Sequence, residues 1–279
     1  MKRVSPIERE IQVMGIVNIT SDSYFAESRA TDQESINRRI ENLISQGADI
    51  IDIGACSTRP GSVSTSGTDE WKSLKLGLDV LKRYDTPLSI DTFRADIVER
   101  AYDMVGSFTV NDISAGEDDR RMLEVVGKLK LPYIAMHKRG TPLTMNTFTN
   151  YNNITVEIID YFRVFEKIAA SYGVDNYIID PGFGFSKTVD QNYELLSNID
   201  KFKQLDKKIL IGISRKSMIT KALDISTEEA LPATSALHLY ALLKGADILR
   251  VHDVKEAKDI IKLFSYLCQQ ETVSKKFLI

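Results

Sequence analysis

The sequence predicts an α/β protein of the (β/α)8 TIM-barrel class, folded as a single domain. Eight short apolar segments, rich in β-branched residues, alternate with longer segments of helical periodicity. The short segments are apolar throughout, as expected for parallel strands with both faces covered. The chain has 279 residues, 43% of them hydrophobic, which suits one domain of barrel size with a full core. An open doubly wound sheet is the alternative fold.

The predicted strands precede the predicted helices in regular succession. In the first amphipathic segment Ile36, Ile40 and Leu43 recur at helical spacing, and Gly47 provides a stop signal. No linker or repeat of 20–50 residues is evident, so residues 1–279 form one domain, with its core at roughly 13–265. The strands are predicted at 12–18, 48–54, 87–91, 108–112, 132–137, 177–180, 208–214 and 247–252. Helices are predicted from about residue 35 to 47 and at 71–83, 93–103, 118–129, 153–172, 190–203, 229–244 and 253–269.

Composition and charge exclude several classes of protein. The chain has 36 basic and 39 acidic residues, so it lacks the basic surface that nucleic-acid binding requires. No apolar run approaches the roughly 20 residues of a membrane span, and residues 1–10 lack the apolar core of a signal peptide. Cys56 and Cys268 lie far apart, without a second cysteine or histidine at metal-ligand spacing. We therefore expect a cytoplasmic protein that binds neither nucleic acid nor membrane.

Polar residues follow nearly every predicted strand. The carboxyl ends of barrel strands carry the chemistry in this fold class, so these residues predict a site at one mouth of the barrel. Asp and Asn are also ordinary helix N-caps, which is the better explanation for any one of them alone. Asp180 is the clearest exception, because a Pro-Gly turn separates it from the next helix. The set comprises Asn18, residues 57–61, Asp91, Asn111, Asp112, His137, Asp180, residues 214–217, Arg250 and His252.

Eight motifs in this set, in this order and spacing, resemble those of the dihydropteroate synthases from about residue 13 to 265. They read NITSDS (18–23), STRPG (57–61), SIDT (89–92), NDI (111–113), MHKRGTP (136–142), DPGFGF (180–185), SRKS (214–217) and RVHDV (250–254). The resemblance implies a transferase that joins p-aminobenzoate to 6-hydroxymethyl-7,8-dihydropterin diphosphate and releases diphosphate. Three of the motifs, STRPG, SRKS and RVHDV, argue against a pterin-binding methyltransferase barrel, the main rival enzyme.

The residue types suit a pterin ligand. Ionised Asp180 can accept from a ring N–H and the neighbouring exocyclic amine together. Asn111 carries both a donor and an acceptor, and Lys216 can donate to the ring carbonyl; a solvated surface lysine is the alternative for Lys216. The resemblance places in the pterin pocket Asp91, Asn111, Ile113, Met136, Asp180, Phe185, Gly212 and Lys216.

The resemblance also implies sites for the two anionic groups. Arg250 and His252 flank Val251, so they face the same way if the strand continues there. His252 could instead be a structural histidine. Asn18 corresponds to the family's Mg²⁺ ligand, and one amide needs phosphate oxygens and water to complete the coordination. Diphosphate binding is assigned to Asn18, Thr58, Arg59, Arg250 and His252, p-aminobenzoate binding to Thr58, Arg59, Pro60, Lys216 and Ser217, and catalysis to Arg59, Asp91, Lys216, Arg250 and His252. No serine or cysteine nucleophile with a paired base is evident, which suits dissociative chemistry.

The first loop departs from the family pattern. Where relatives commonly carry Asp-Gly-Gly, this chain has Ala26, Glu27 and Ser28. A non-catalytic pterin-binding paralogue is the rival of another class, but it should have lost Lys216 or the Arg250–His252 pair. The family is typically dimeric through its last helices, so the resemblance implies a homodimer, and the apolar segment 258–267 permits one.

Overall fold

The structure is a computed structural model that describes residues 10–19, 33–56, 65–141 and 143–276. Its eight strands are all parallel and follow the order β6-β5-β4-β3-β2-β1-β8-β7. A single parallel bridge between Ile179 and Ile209 joins β6 to β7 and nearly closes the sheet into a barrel. The strands are β1 Gln12–Asn18, β2 Ile50–Gly54, β3 Leu88–Asp91, β4 Thr109–Asp112, β5 Tyr133–Met136, β6 Tyr177–Asp180, β7 Leu210–Ile211 and β8 Ile248–Val251.

Helices surround the barrel, and the predicted fold class is confirmed. Three of them begin at side-chain caps: Ser66 accepts from the backbone of Asp69, Asn153 from Val156, and Thr188 forms a capping box with Gln191. The helices among the described residues are α1 Gln33–Ser45, α2 Gly67–Leu81, α3 Ala95–Val105, α4 Met122–Leu129, α5 Ile154–Ser171, α6 Val189–Ser197, α7 Ser217–Leu223, α8 Leu231–Lys244 and α9 Val254–Lys276.

The seventh strand–helix unit differs from the prediction. The segment 208–214 pairs as a strand only over Leu210–Ile211, and the short helix α7 precedes α8. The strand pairing ends early for a local reason. The Ser214 hydroxyl oxygen, and not a backbone carbonyl, accepts from the backbone N–H of His252 at 3.2 Å. Arg215 then adopts a left-handed conformation with φ of 54°, which turns the chain away from the sheet.

Two separate apolar cores explain why the strands do not alternate between apolar and polar residues. The larger core fills the space between the strands and the helices and includes Val17, Ile53, Ile90 and Val251. The smaller one plugs the barrel interior and consists of Met14, Ile50, Ile134, Leu210 and Ile248, with Ile178 packed against it. Because side chains alternate across a strand, residues two and four positions further along these strands also face the interior. These next layers form the mouth of the barrel.

Among the described residues, no helix is both long enough and apolar enough to cross a membrane.

Candidate active site

The layer above the apolar plug is polar. Two residues beyond the plug lie Asp52 on β2, Asp180 on β6 and Arg250 on β8. The strand register adds Ser89 beside Asp52 and Asp91 beside Asn111. A ring of charged and amide side chains therefore lines the carboxyl end of the barrel, where TIM-barrel enzymes hold their substrates.

Arg250 is paired with two carboxylates. Its Nε lies 2.7 Å from Asp52 Oδ2, and its Nη2 lies 2.7 Å from Asp91 Oδ2. Burial raises the pKa of Asp91 to about 7, and the charge of Arg250 opposes that rise. Burial alone would lower the pKa of Arg250, but the charges of Asp52 and Asp91 outweigh it, so Arg250 stays protonated. The two described contacts use two of the five N–H donors of the guanidinium.

Asp52 was not predicted as a site residue, yet it is bonded to side chains of three other strands at the mouth. Its side chain is fully buried and accepts from Ser89 Oγ at 2.6 Å and from Asn111 Nδ2 at 3.2 and 3.3 Å. With Arg250 as the third partner, Asp52 links β2, β3, β4 and β8. One signal was available in the sequence: Asp52 interrupts the otherwise apolar strand Ile50–Gly54.

Asp180 presents one carboxylate oxygen to the barrel interior. Its Oδ1 accepts from the Gly182 backbone N–H at 2.8 Å, and Oδ2 has no hydrogen-bond partner among the described residues. The turn requires glycine at 182, because φ is 76° and a Cβ there would lie 1.9 Å from the His137 carbonyl oxygen. Burial raises the pKa of Asp180, and the charge of Lys216 opposes that rise.

Gly212 leaves room for a methyl-sized group between Asp180 and Lys216. A Cβ at this position would lie 3.8 Å from Lys216 Nζ and 4.0 Å from both Asp180 Oδ2 and Arg250 Cβ. Lys216 Nζ donates to the Phe183 carbonyl at 2.6 Å and lies 5.0 Å from the centroid of the Phe185 ring. Burial lowers the pKa of Lys216 to about 8, against the opposing charge of Asp180. Lys216 is therefore a pocket residue and not a solvated surface lysine.

His252 lies just beyond β8 and is buried. Its Nδ1 is 3.0 Å from Ser214 Oγ, which also receives its backbone N–H. We assign the Ser214 hydroxyl as the donor to Nδ1, since its oxygen already accepts one hydrogen bond, and this assignment places the imidazole hydrogen on Nε2. Burial and the neighbouring Arg250 lower the pKa of His252 to about 3. The side chain therefore offers a neutral N–H and not a positive charge. This Ser–His contact was not expected, but both side chains are buried and the serine holds the histidine in place.

Two further cations support the site, and neither was given a substrate or catalytic role from the sequence. Buried Arg215 makes a bidentate pair with Asp253 and donates to the carbonyls of Thr227 and Glu228, which anchors the turn that carries Lys216. Lys187 Nζ lies 2.8 and 3.0 Å from the carbonyl oxygens of Gly182 and Phe185 and 3.2 Å from His137 Nδ1. These contacts join the loop after β6 to the end of β5. Burial lowers the pKa of Lys187 to about 7.

Two of the strand-end residues stabilise structure. Asp112 accepts from the Tyr133 hydroxyl at 2.5 Å and from the backbones of Ser114 and Gly116, so it caps the turn after β4. His137 is buried with its ring edge against Tyr161, and burial lowers its pKa well below the usual range. Asp112 and His137 therefore have structural roles, in capping and in packing, which is the alternative explanation for any single polar residue at a strand end.

The remaining predicted residues differ in their exposure. Ile113 and Met136 are buried, Asn18 is partly buried at the end of β1, and Ser217 is exposed at the start of α7. The described residues contain no cluster of three or more His, Cys, Asp or Glu side chains that could hold a metal ion. Thr58, Arg59, Pro60 and the altered segment 26–28 lie outside the described residues.

Comparison with known proteins identifies the family. Residues 14–252 match the family model of pterin binding enzymes. A dihydropteroate synthase from Clostridium beijerinckii is 36% identical over 255 residues, covering 90% of this chain and 92% of the relative. The structure of the Yersinia pestis dihydropteroate synthase with a sulfonamide drug complex superposes with a TM-score of 0.87 at 30% identity, covering 94% of this chain and 95% of the other. The Xanthomonas albilineans dihydropteroate synthase with 4-aminobenzoic acid gives a TM-score of 0.84 at 31% identity, covering 94% of each chain. The match extends over the whole barrel mouth, and the chain belongs to the dihydropteroate synthases of the pterin-binding enzyme family.

Proposed function

We propose that this transferase binds the pterin ring in the space above Gly212, between Asp180, Lys216 and Asn111. The observation that carries this assignment is the unpartnered Asp180 Oδ2, which faces the same opening as Lys216 Nζ. A carboxylate oxygen of this kind accepts from the ring N–H and exocyclic amine of a pterin, and the lysine donates to the ring carbonyl. Met136 and Ile113 supply apolar surface, and Phe185 lies beside the lysine.

Arg250 and His252 bind the diphosphate in this proposal. Arg250 keeps N–H donors beyond those given to Asp52 and Asp91, and His252 contributes the neutral N–H of Nε2. Loss of diphosphate breaks the C–O bond of the hydroxymethyl group, and the electron pair leaves with the oxygen. The aniline nitrogen of p-aminobenzoate then forms the C–N bond and loses a proton. Protein donors that stabilise the leaving oxygens lower the barrier to the first step. From the sequence we assign Arg59 and Thr58 to the same task.

We assign the p-aminobenzoate carboxylate to Ser217, together with Lys216 and the Thr58–Arg59–Pro60 segment. Ser217 is exposed and directly follows Lys216, so a ring bound there lies next to the pterin pocket. A relative has been solved with 4-aminobenzoic acid, which supports p-aminobenzoate as the second substrate.

The proposed Mg²⁺ ligand is Asn18. Its amide oxygen is a hard donor of the kind that magnesium prefers, and it lies at the end of β1 next to the strand that carries Arg250. A single amide fits an ion that reaches the site bound to diphosphate oxygens and water. When bound, the ion would neutralise charge on the leaving group.

We further propose that the chain forms homodimers in the cytoplasm. Helices α8 and α9 expose Tyr240, Leu243, Leu263, Tyr266 and Leu267. Apolar side chains of this number on one pair of helices suit a subunit interface. Two cysteines far apart in the sequence, Cys56 and Cys268, are in keeping with a reducing compartment. Light scattering of the purified chain tests the dimer, and a monomer at micromolar concentration would contradict it.

The direct test of the function is diphosphate release in a coupled assay with both substrates. We expect release that depends on p-aminobenzoate, and we expect Asp180→Ala to abolish it. Calorimetric titration with p-aminobenzoate, with and without diphosphate, separates the rivals. Binding that requires diphosphate supports the synthase, whereas neither a methyltransferase barrel nor a non-catalytic pterin-binding protein should show it.

A further inference from the structure

Asn111 is held by a partner that can only accept hydrogen bonds. Its Nδ2 lies 3.2 and 3.3 Å from the two carboxylate oxygens of Asp52, and both residues are buried. An ionised carboxylate has no hydrogen to give, so the amide must turn its NH₂ group toward Asp52. The carbonyl oxygen of Asn111 is thereby left for a ligand.

The position of Asp52 is itself fixed from two other strands. Ser89 donates to its Oδ1 at 2.6 Å, and Arg250 Nε donates to its Oδ2 at 2.7 Å. The Asp52 side chain is fully buried, so it does not reach the substrate. Any effect of Asp52 on substrate must pass through Asn111 or Arg250.

We propose that Asp52 is a positioning residue that sets pterin specificity by fixing which face of the Asn111 amide meets the ligand. This inference rests on the proposed function. With Asp180 accepting one hydrogen of the exocyclic amine, the Asn111 carbonyl oxygen accepts the second. A ring with an oxo group in place of that amine meets an acceptor and is rejected, because two facing acceptors leave a buried polar group unpaired.

The substitution Asp52→Asn tests this with little change in shape. Arg250 Nε–H needs an acceptor, so the new amide must turn its oxygen toward Arg250. Its NH₂ group then occupies the place of Oδ1, 3.3 Å from Asn111 Nδ2, where two NH₂ groups cannot pair. The new oxygen, in the place of Oδ2, is shared between Arg250 and Asn111. We expect Asn111 to turn over, accept from the new NH₂ group and present its own NH₂ group to the ligand. The preference between an amino and an oxo substituent should shift accordingly.

The probes are pterin and lumazine, which carry an amino and an oxo group, respectively, at the same ring carbon; lumazine also carries a hydrogen on the adjacent ring nitrogen. Fluorescence titration gives Kd for each with the wild-type chain and the variant. We expect the lumazine-to-pterin Kd ratio to fall about tenfold in Asp52→Asn, roughly the factor for one misdirected hydrogen bond. Asp112→Asn is the matched control, because Asp112 is equally buried and lies next to Asn111 but contacts Tyr133, Ser114 and Gly116 instead. It should leave the ratio within twofold of the wild type.

A purely structural role for Asp52 predicts a different result. Equal weakening of pterin and lumazine in Asp52→Asn, or a ratio within twofold of the wild type in the folded variant, would overturn the inference. Near-UV circular dichroism establishes folding, and if Asp52→Asn does not fold, Asp52→Ser takes its place in the same titration with the same expected direction. Failure of the wild-type chain to bind pterin at all would instead remove the proposed function.

Discussion

The pairing of Arg250 with two carboxylates leads to a prediction about stability as well as substrate binding. Arg250→Ala removes the cation between Asp52 and Asp91, whose side chains are 0% and 14% exposed. Asp91 responds by taking up a proton. Its pKa is already about 7, so at pH 8 this costs about 1.4 kcal/mol, one unit at 1.36 kcal/mol. Asp52 in addition loses a charged hydrogen bond of about 1.5–3 kcal/mol.

The expected loss in the free energy of unfolding at pH 8 is therefore about 3–4 kcal/mol, within the range measured for broken buried ion pairs. The pH dependence has a definite sign. The folded-state pKa of Asp91 lies above its unfolded value of about 3.9, so its protonation favours the folded state, and stability is lost as pH rises through about 7. At pH 5 Asp91 is protonated in both proteins, and the difference should shrink by about 1.4 kcal/mol.

Urea unfolding at pH 5 and pH 8 measures both quantities. Arg163→Ala is the control, because its pair with Asp160 is 2.8 Å long but about half exposed on both sides. Such surface pairs contribute about 0–1 kcal/mol, and we expect no pH trend for this variant. A loss below about 1 kcal/mol for Arg250→Ala at pH 8, or a larger loss at pH 5, would refute the reasoning.

Four further predictions concern substrate binding. Asp180→Ala should weaken pterin binding at least tenfold without loss of fold, since it removes the carboxylate whose Oδ2 has no partner among the described residues; a few-fold change in titration would show that the pocket is misplaced. Gly212→Val should block pterin and leave the melting temperature within a few degrees, because its side chain enters the space beside Lys216 Nζ, and unchanged affinity would contradict this. Pterin affinity should fall above about pH 8 as Lys216 loses its proton. The affinity of Lys216→Arg, measured over the same pH range, should show no such fall. From sequence alone, Glu27→Ala should raise the KM for p-aminobenzoate more than that for the pterin substrate if Glu27 replaces the missing aspartate of the first loop; unchanged kinetics would refute this.

The sequence predicted which residues gather at the barrel mouth because two local signals combine. Apolar β-branched runs mark the strands, and parallel strands in a barrel all end at the same face. Asn18, Asp91, Asn111, Asp180 and Arg250 each end or nearly end such a run. The predicted and observed strand bounds agree closely except at β7, where the Ser214 side chain replaces a backbone hydrogen-bond acceptor.

Which side chains of the site pair with one another was decided by the tertiary structure. Asp52 and Arg250 are 198 residues apart in the sequence. They meet because their strands, β2 and β8, are the two neighbours of β1 in the sheet. A strand buried on both faces carries no pattern that distinguishes its inward from its outward residues, so Asp52, which faces the site, and Asp112, which faces away from it, look alike in the sequence. Charge state is equally non-local. The neutrality of His252 comes from burial, from neighbouring Arg250 and from cations on other elements. The sequence determined the fold and most of the site residues, though not Asp52 or Lys187. The closed barrel decided which of the charges are paired, because pairing depends on distances that only strand register sets.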